Sequence, residues 1–209
     1  MLRKAERQRY VTATAQRIHD GLHADQLPVR DGLEHAYGAS ARALVTVIAT
    51  MVEQITILQG EVEAVFRCHP DAEILLNQPG LAVVLAARVI GEFGDDPDRY
   101  ADSRARKNYS GMSPNTKASG TKRTVLARYA RNTHLADALT QQAYVALSNS
   151  PGTRAYSDQH RAKGATHHRA LRALANRLVG ILHGCLRHQT PYDETTAWGQ
   201  QADDASAAA

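Results

Sequence analysis

A repeat of apolar residues between positions 44 and 65 sets the strongest limit on the fold. The apolar positions recur in alternating steps of four and three residues over three heptads: Leu44, Ile48, Met51, Ile55, Leu58, Val62 and Val65. Such a repeat predicts one long helix with a single apolar face, and its length is typical of a coiled coil. Gly60 lies within the repeat and weakens the helix by about 1 kcal/mol relative to Ala. Two interpretations remain open: a dimer interface, or a core helix packed within its own chain.

The rest of the chain also shows helical periods. Apolar spacing predicts an N-terminal helix over residues 3–22 and further helices over residues 82–93, 103–109, 125–129, 135–147 and 171–185. Residues 112–121 are predicted to form a loop, because Pro114, Ser119 and Gly120 disfavour regular structure there. No strand pattern is convincing, and we predict an all-α fold in which a long coiled-coil-like helix precedes a compact helical domain.

Three parts follow from this organisation. We assign residues 1–70 to an N-terminal helix and coiled-coil dimerisation region, and residues 71–190 to the compact helical domain. Residues 191–209 are polar and end in three alanines, so we expect a disordered tail. A length of 209 residues is enough for one domain of ordinary size or two small ones, and enough to bury a core.

Composition indicates a cytoplasmic protein. Two cysteines, Cys68 and Cys185, cannot build a disulfide framework, which favours a reducing compartment. We find no run of about 18 apolar residues and no apolar segment after the basic N-terminus, so we expect neither a membrane partner nor a secretory signal.

Charge is strongly segregated along the chain. The 209 residues carry 25 Lys and Arg against 21 Asp and Glu, yet residues 34–98 contain ten acids and three bases. Residues 99–131 contain nine bases and one acid, and residues 154–187 contain seven bases and one acid. Such basic blocks are the pattern expected of a surface that meets phosphates, and the alternative is a solvated basic face without a partner. The candidate phosphate contacts are Lys107, Lys117, Lys122, Arg123, Arg128 and Arg131.

Residues 76–81, with the sequence Leu-Asn-Gln-Pro-Gly-Leu, resemble the centre of a helix-hairpin-helix element. Gly80 allows a tight turn, and the amide groups that open the next helix can hold a DNA phosphate. An ordinary turn between two helices is the alternative interpretation. Gly80 is therefore a candidate DNA-binding residue.

Two Ser-Gly pairs, at residues 110–111 and 119–120, lie in or beside the predicted basic loop. A hydroxyl in a glycine-supported loop close to Lys117, Lys122 and Arg123 could serve as a nucleophile toward a phosphodiester, since the cations would stabilise charge on phosphorus. A plain turn or a helix cap is the alternative for this pattern.

Histidines are abundant in the last basic block, at positions 160, 167, 168, 183 and 188. No acids or thiols accompany them at ligand spacing, so we predict no metal site and interpret them as surface residues or phosphate contacts. Tyr100, Tyr109, Tyr129 and Tyr156 could stack on bases, or could pack against the core.

Several segments taken in order resemble one family. They are Pro79-Gly80-Leu81, residues 90–95 with Arg99-Tyr100, residues 109–114, Ser119-Gly120, residues 132–139, and Tyr156 followed by residues 170–182. Over residues 74–187 they resemble the C-terminal domain of transposases of the insertion-sequence 110/116/902 type. The chain departs from the family pattern at Ala82, where the family usually has glycine, and at Ala130-Arg131-Asn132, where the family usually has Arg-Gly-Asn. The helices before residue 70 resemble the family's coiled-coil region.

The resemblance implies a DNA recombinase in which Ser119, the serine of the family's Ser-Gly pair, is the catalytic nucleophile. Family members pair this domain with an RNase H-like domain, whose acids bind metal, and are guided by a structured RNA. We expect that half to be missing from this chain, so that the chain holds no cofactor and Mg²⁺ enters only with the missing half.

The sequence therefore predicts a DNA-binding transposase domain, inactive by itself, which forms a homodimer or higher oligomer. Two alternatives remain: a non-enzymatic nucleic-acid-binding remnant or regulator, and a coiled-coil interaction protein whose basic blocks are only solvated surface.

Overall fold

The computed structural model describes residues 11–25 and 32–199, and they fall into two units. The first unit extends to Gln54 and contains α1, Val11–His23, and most of α2, Leu33–Phe66. The predicted N-terminal helix is confirmed over α1, while its predicted residues 3–10 lie outside the described part of the chain. The predicted long helix is confirmed as the 34 residues of α2.

The second unit begins at Ile55 and is helical apart from one hairpin. After the end of α2 its elements are α3, Ala72–Leu76; α4, Val83–Phe93; α5, Ser103–Tyr109; β1, Asn115–Ser119; β2, Lys122–Leu126; α6, Thr133–Asn149; α7, Pro151–Ala162; and α8, His167–His188. The fold is therefore mostly α, as predicted, with a small two-stranded sheet.

Side-chain caps explain where four of these helices begin. Asp102, Asn132, Ser150 and Thr166 each accept a hydrogen bond from the backbone N–H three residues further on, at the starts of α5, α6, α7 and α8. Such a cap satisfies one of the free amides of the first turn and contributes about 1 kcal/mol. Pro151 occupies the first position of α7, so the segment predicted to stop one helix also starts the next.

The core lies around α8, which packs against α5, α6 and α7. Leu174, Leu178 and Leu182 on α8 are fully buried, as are Leu135 and Leu139 on α6. Within each helix these positions repeat every four residues, which puts them on one helix face. The helix predicted through residues 171–185 is confirmed.

Residues 115–126 correct the sequence analysis. The expected loop over residues 112–121 contains β1, and the helix predicted over residues 125–129 is wrong because β2 continues to Leu126. Ser119 pairs with Lys122 across a two-residue turn in which Gly120 has φ +57°. Positive φ suits glycine and is the usual requirement of short hairpin turns, so this glycine starts a hairpin.

The expected tail disorder is also wrong for residues 191–199. Trp198 is buried, and its indole N–H donates to the Tyr192 hydroxyl at 2.7 Å. Glu194 accepts from the Ser150 hydroxyl at 2.8 Å and from the Gly152 amide at 2.7 Å. The segment is therefore held against the start of α7, and residues 200–209 lie outside the described part of the chain.

The apolar face of α2 is exposed. All seven residues of the repeat keep between 40% and 74% of their surface open, so residues 11–25 and 32–199 do not bury α2 as a core helix. Other apolar residues of α2, among them Val47 and Ile57, are exposed as well. By length and composition α2 could also cross a membrane, since an 18-residue stretch between Arg42 and Glu61 has Glu53 as its one charged residue. The absence of a membrane partner thus stays a prediction.

Candidate nucleic-acid interface

The hairpin β1–β2 presents a basic, hydroxyl-bearing surface. Every residue of β1 is exposed, and the segment from Asn115 to Leu126 contains three bases and no acid. Residues directly opposite in an antiparallel pair lie on the same face, and residues two apart on one strand share that face. The register therefore groups Ser119 with Lys122 across the turn and with Lys117 along β1.

The structure separates the two Ser-Gly pairs. Ser110 is fully buried, and its hydroxyl donates to the Lys107 carbonyl at 3.0 Å. Ser119 is exposed at the hairpin turn. Of these two serines, Ser119 is therefore the one that solvent reaches.

Arg128 and Arg131 follow β2 at the base of the hairpin. One Nη of Arg128 donates to the Asn108 side-chain oxygen at 3.2 Å, which fixes one edge of its guanidinium. Arg131 is exposed and its aliphatic stem lies over Gly111, where a β-carbon would come within 2.3 Å of the arginine Cβ. Gly111 also has φ +72°, so both conformation and space require glycine there.

Lys107 lies on α5 and packs against α8. Its ammonium would lie 2.8 Å from a β-carbon at Gly180. Burial, and then the charge of Arg177, lower the pKa of Lys107. Its observed contacts are therefore with α8, and its contact with DNA stays a prediction.

Gly80 lies in the turn between α3 and α4, and this turn packs on α6. Gly80 has φ +80°, and a β-carbon there would come within 2.3 Å of the Gln142 carbonyl oxygen. Gln142 also donates to the Pro79 carbonyl at 3.3 Å. The contacts seen at Gly80 are those of close packing, and its predicted phosphate contact is not addressed by them. The side chain of Arg123 lies outside the described structure, so its role also stays a prediction.

Sequence reasoning missed a cluster of aromatic and cationic contacts behind the interface. The Arg106 guanidinium lies 5.0 Å from the Phe93 ring centre and 4.8 Å from the Tyr100 ring centre. Arg99 lies 5.0 Å from the Tyr109 ring centre and donates to the Phe93 carbonyl at 2.8 Å. Two of the bases counted as surface charge therefore stabilise the packing of α4 against α5.

The described residues bring together no group of three or more His, Cys, Asp or Glu side chains that could hold a metal ion. The sequence-based expectation of no metal site in this chain stays a prediction.

Residues 72–158 match the sequence model of the Transposase IS116/IS110/IS902 family. This range runs from the start of α3 into α7 and includes the whole hairpin. Through this domain the chain belongs to the IS116/IS110/IS902 transposase family, as the order of its motifs indicated.

Individual relatives agree with the family. The chain is 41% identical over 176 residues to a protein named as the mini-circle transposase of IS117 from Streptomyces coelicolor, an alignment that covers 84% of this chain and 42% of that protein. It is 30% identical over 154 residues to the 43.6 kDa protein of insertion element IS110 from the same organism, covering 72% and 37%. It is 29% identical over 171 residues to the 42 kDa protein of insertion element IS900 from Mycobacterium paratuberculosis, covering 78% and 43%. The chain thus spans about two fifths of the length of these relatives.

Proposed function

We propose that this chain is the serine-bearing, DNA-binding part of a transposase. The observation that carries the proposal is the hairpin register, which groups the exposed Ser119 with Lys117 and Lys122. An isolated two-stranded hairpin is marginally stable in water, so a highly exposed basic hairpin is suited to be ordered by a polyanion. Family membership makes DNA the partner, and we infer that the reaction takes place in the cytoplasm.

In the proposed step the Ser119 hydroxyl attacks a DNA phosphorus. A bond forms between Oγ and phosphorus as the bond to one deoxyribose oxygen breaks. The serine proton passes to a base, and the departing sugar oxygen takes up a proton. A hydroxyl of a second strand then reverses the exchange, so strands are transferred without hydrolysis. Lys117 and Lys122 would stabilise the negative charge that builds on the phosphoryl oxygens.

The base and any metal ligands are proposed to come from residues outside this chain's 209. A serine hydroxyl is a weak nucleophile until a base or a metal activates the reaction. We therefore place Mg²⁺ with an acid-bearing RNase H-like part, and a structured guide RNA with the assembled enzyme.

We further propose that the chain self-associates through α2. A heptad repeat is self-complementary, because each face meets the same face of a second copy, and burial of exposed leucine, isoleucine and valine drives the association. The whole stretch of α2 that is apolar enough to span a membrane is unburied in the single chain. Two or more copies would cover it.

The experiment that tests the nucleophile is a covalent trap. The chain would be joined to the part of the IS117 relative that it does not match, and incubated with supercoiled DNA, Mg²⁺ and RNA transcribed from the element. We expect a protein–DNA adduct that survives denaturing electrophoresis, is absent from the Ser119→Ala variant and persists in the Ser110→Ala variant. DNA binding without any Ser119-dependent adduct would instead identify a non-enzymatic DNA-binding module.

A further inference from the structure

A cavity of about 290 Å³ opens at the base of the hairpin. The segments before β1 and after β2 form one side of it, and α7 and α8 form the other. Its volume falls just below the roughly 300–1,000 Å³ typical of small-molecule sites, so it has room for one compact group and not for a polymer segment.

Basic side chains surround this cavity. Arg128, His160, Arg169 and Arg172 line it, and neither Asp nor Glu is among its lining residues. Burial lowers the pKa of His160, and the charges of Lys163 and Arg169 lower it further. The cavity therefore has a positive potential that an anion would neutralise.

One guanidinium is only partly satisfied. Arg128 donates through one Nη to Asn108, while its buried Nε has no hydrogen-bond partner among the described residues. A buried donor without a partner is costly, at about 1–3 kcal/mol. Arg128 thus lines the cavity with a guanidinium whose hydrogen-bonding capacity is only partly used.

The remaining wall is apolar and aromatic. Met112, Val125 and Leu126 contribute apolar surface, and Tyr156 is half-buried with its ring centre 4.6 Å from that of His160. A lining that combines cationic with apolar and aromatic side chains matches the two parts of a nucleotide, which are a charged phosphate and a flat base.

We propose that this cavity binds one unpaired nucleotide of a nucleic-acid strand, with its phosphate on the arginines and its base against the apolar wall. The proposal rests on the proposed function in that nucleic acid is the partner, and it adds a second site to the hairpin. A base stacked inside a duplex cannot enter a concave pocket, so the nucleotide must lie in a single strand or be flipped out.

The cavity and Ser119 lie at opposite ends of the hairpin, so the length of β1 sets the distance between them. Four strand steps separate Asn115, at the cavity end of β1, from Ser119 at the turn. At about 3.3 Å per residue this is about 13 Å. A nucleotide held in the cavity would fix the strand about 13 Å from the phosphate that Ser119 meets.

Binding of labelled oligonucleotides by the full chain tests this site. The probes are a 12-nucleotide strand of dT, its rU counterpart and a 12-base-pair duplex, each measured by fluorescence anisotropy over a series of salt concentrations. The test variant is Arg169→Gln with Arg172→Gln. The matched control is Arg104→Gln with Arg161→Gln, which removes two exposed charges from α5 and α7 outside the cavity.

We expect the cavity variant to bind the single strands about tenfold or more weakly and to lose about 1.4 from the salt slope, as for two phosphate contacts. The control should change binding no more than threefold. Ala173→Trp, which fills the cavity without changing charge, should weaken single-strand binding about tenfold and leave duplex binding unchanged. Comparison of dT with rU shows whether the strand is DNA or RNA.

Equal losses in the cavity and control variants, or unchanged single-strand binding by Ala173→Trp, would overturn the proposal. If a Ser119-dependent adduct still forms in that case, only the cavity site fails and the proposed function stands. If the parent chain binds none of the probes, the nucleic-acid function fails with it.

Discussion

At the scale of single residues, Asn132 joins three helices of the compact unit. It caps α6 by accepting from the Leu135 amide at 3.1 Å, and its side-chain amide donates to Glu92 of α4 at 2.5 Å. The same amide group lies 3.5 Å from the Tyr109 hydroxyl at the end of α5. The base of the hairpin is therefore anchored by a polar contact that links α4, α5 and α6.

His183 makes stability depend on pH. Burial lowers its pKa, and the charges of Arg106, Arg187 and Lys107 act in the same direction against the opposing charge of Asp102. The unfolded chain, with an ordinary histidine pKa near 6.5, then takes up a proton before the folded chain does. We expect the free energy of unfolding, measured in urea, to fall as the pH is lowered from 7.5 to 6, and to fall less in His183→Gln. An identical decline in both proteins would contradict this.

Trp198 is expected to stabilise the fold. Its ring is buried, lies 5.6 Å from the Tyr156 ring and leaves no room for a β-carbon on Gly152. Trp198→Ala should lower the free energy of unfolding by about 3–5 kcal/mol, because it removes a large buried side chain. Tyr144→Ala, which truncates an exposed aromatic, is the control and should change it by less than about 0.5 kcal/mol. If the two variants unfolded at similar urea concentrations, residues 191–199 would contribute little to the free energy of unfolding.

At the scale of elements, the hairpin is the part that carries the proposed chemistry. Replacing Lys117, Lys122 and Arg123 with Ala should reduce the salt slope of duplex binding by up to about 2.7, or about 0.9 per phosphate contact. The control is a triple variant that removes the same number of charges outside the hairpin: Arg104→Ala, Arg161→Ala and Arg187→Ala. An unchanged slope in the hairpin variant would mean that the hairpin does not face DNA.

The long helix α2 gives a separate prediction. Met51→Asp or Ile55→Asp should convert an oligomer to a monomer, because a charge would enter the apolar repeat at the interface. Val47→Asp changes an equally exposed valine outside the repeat and should retain the oligomer if the interface is the narrow heptad face. Light scattering measures the oligomeric state of the parent chain and of each variant. A parent chain that is already monomeric would refute the proposed association.

Helix periods and caps could be predicted from sequence because they depend on neighbours within a turn, as at Asp102 and Asn132. The hairpin could not, because every residue of β1 is exposed and no alternation of apolar and polar residues marks the strand. The order of Trp198 was missed for another reason. Its ring contact with Tyr156 joins residues far apart in sequence, and composition suggested only a polar tail.

At the scale of the whole molecule, the segregation of charge has a consequence for catalysis. Residues 99–187 contain Asp102, Asp137 and Asp158 as their acids. Asp102 caps α5, and Asp137 pairs with Arg88 at 3.2 Å, so two of the three already have structural contacts. Basic surface is abundant where the proposed nucleophile lies, and carboxylates are scarce.

We therefore expect the chain by itself to bind supercoiled DNA in the presence of Mg²⁺ without nicking it. Agarose electrophoresis with the parent and Ser119→Ala proteins is the measurement, and pancreatic nuclease confirms that the DNA can be nicked. Nicking by the parent that is lost in Ser119→Ala would reveal a complete catalytic site within these 209 residues.

Because Ser119 lies next to the two-residue turn, its position depends on the length of the two strands. Inserting one residue in each strand would turn the serine to the opposite face, because successive strand residues alternate. Inserting two in each would restore its face and carry it about 7 Å outward, a step of about two nucleotides. The number of residues in β1 and β2 would therefore set, in steps of two residues, how far from the base of the hairpin Ser119 contacts a nucleic-acid strand.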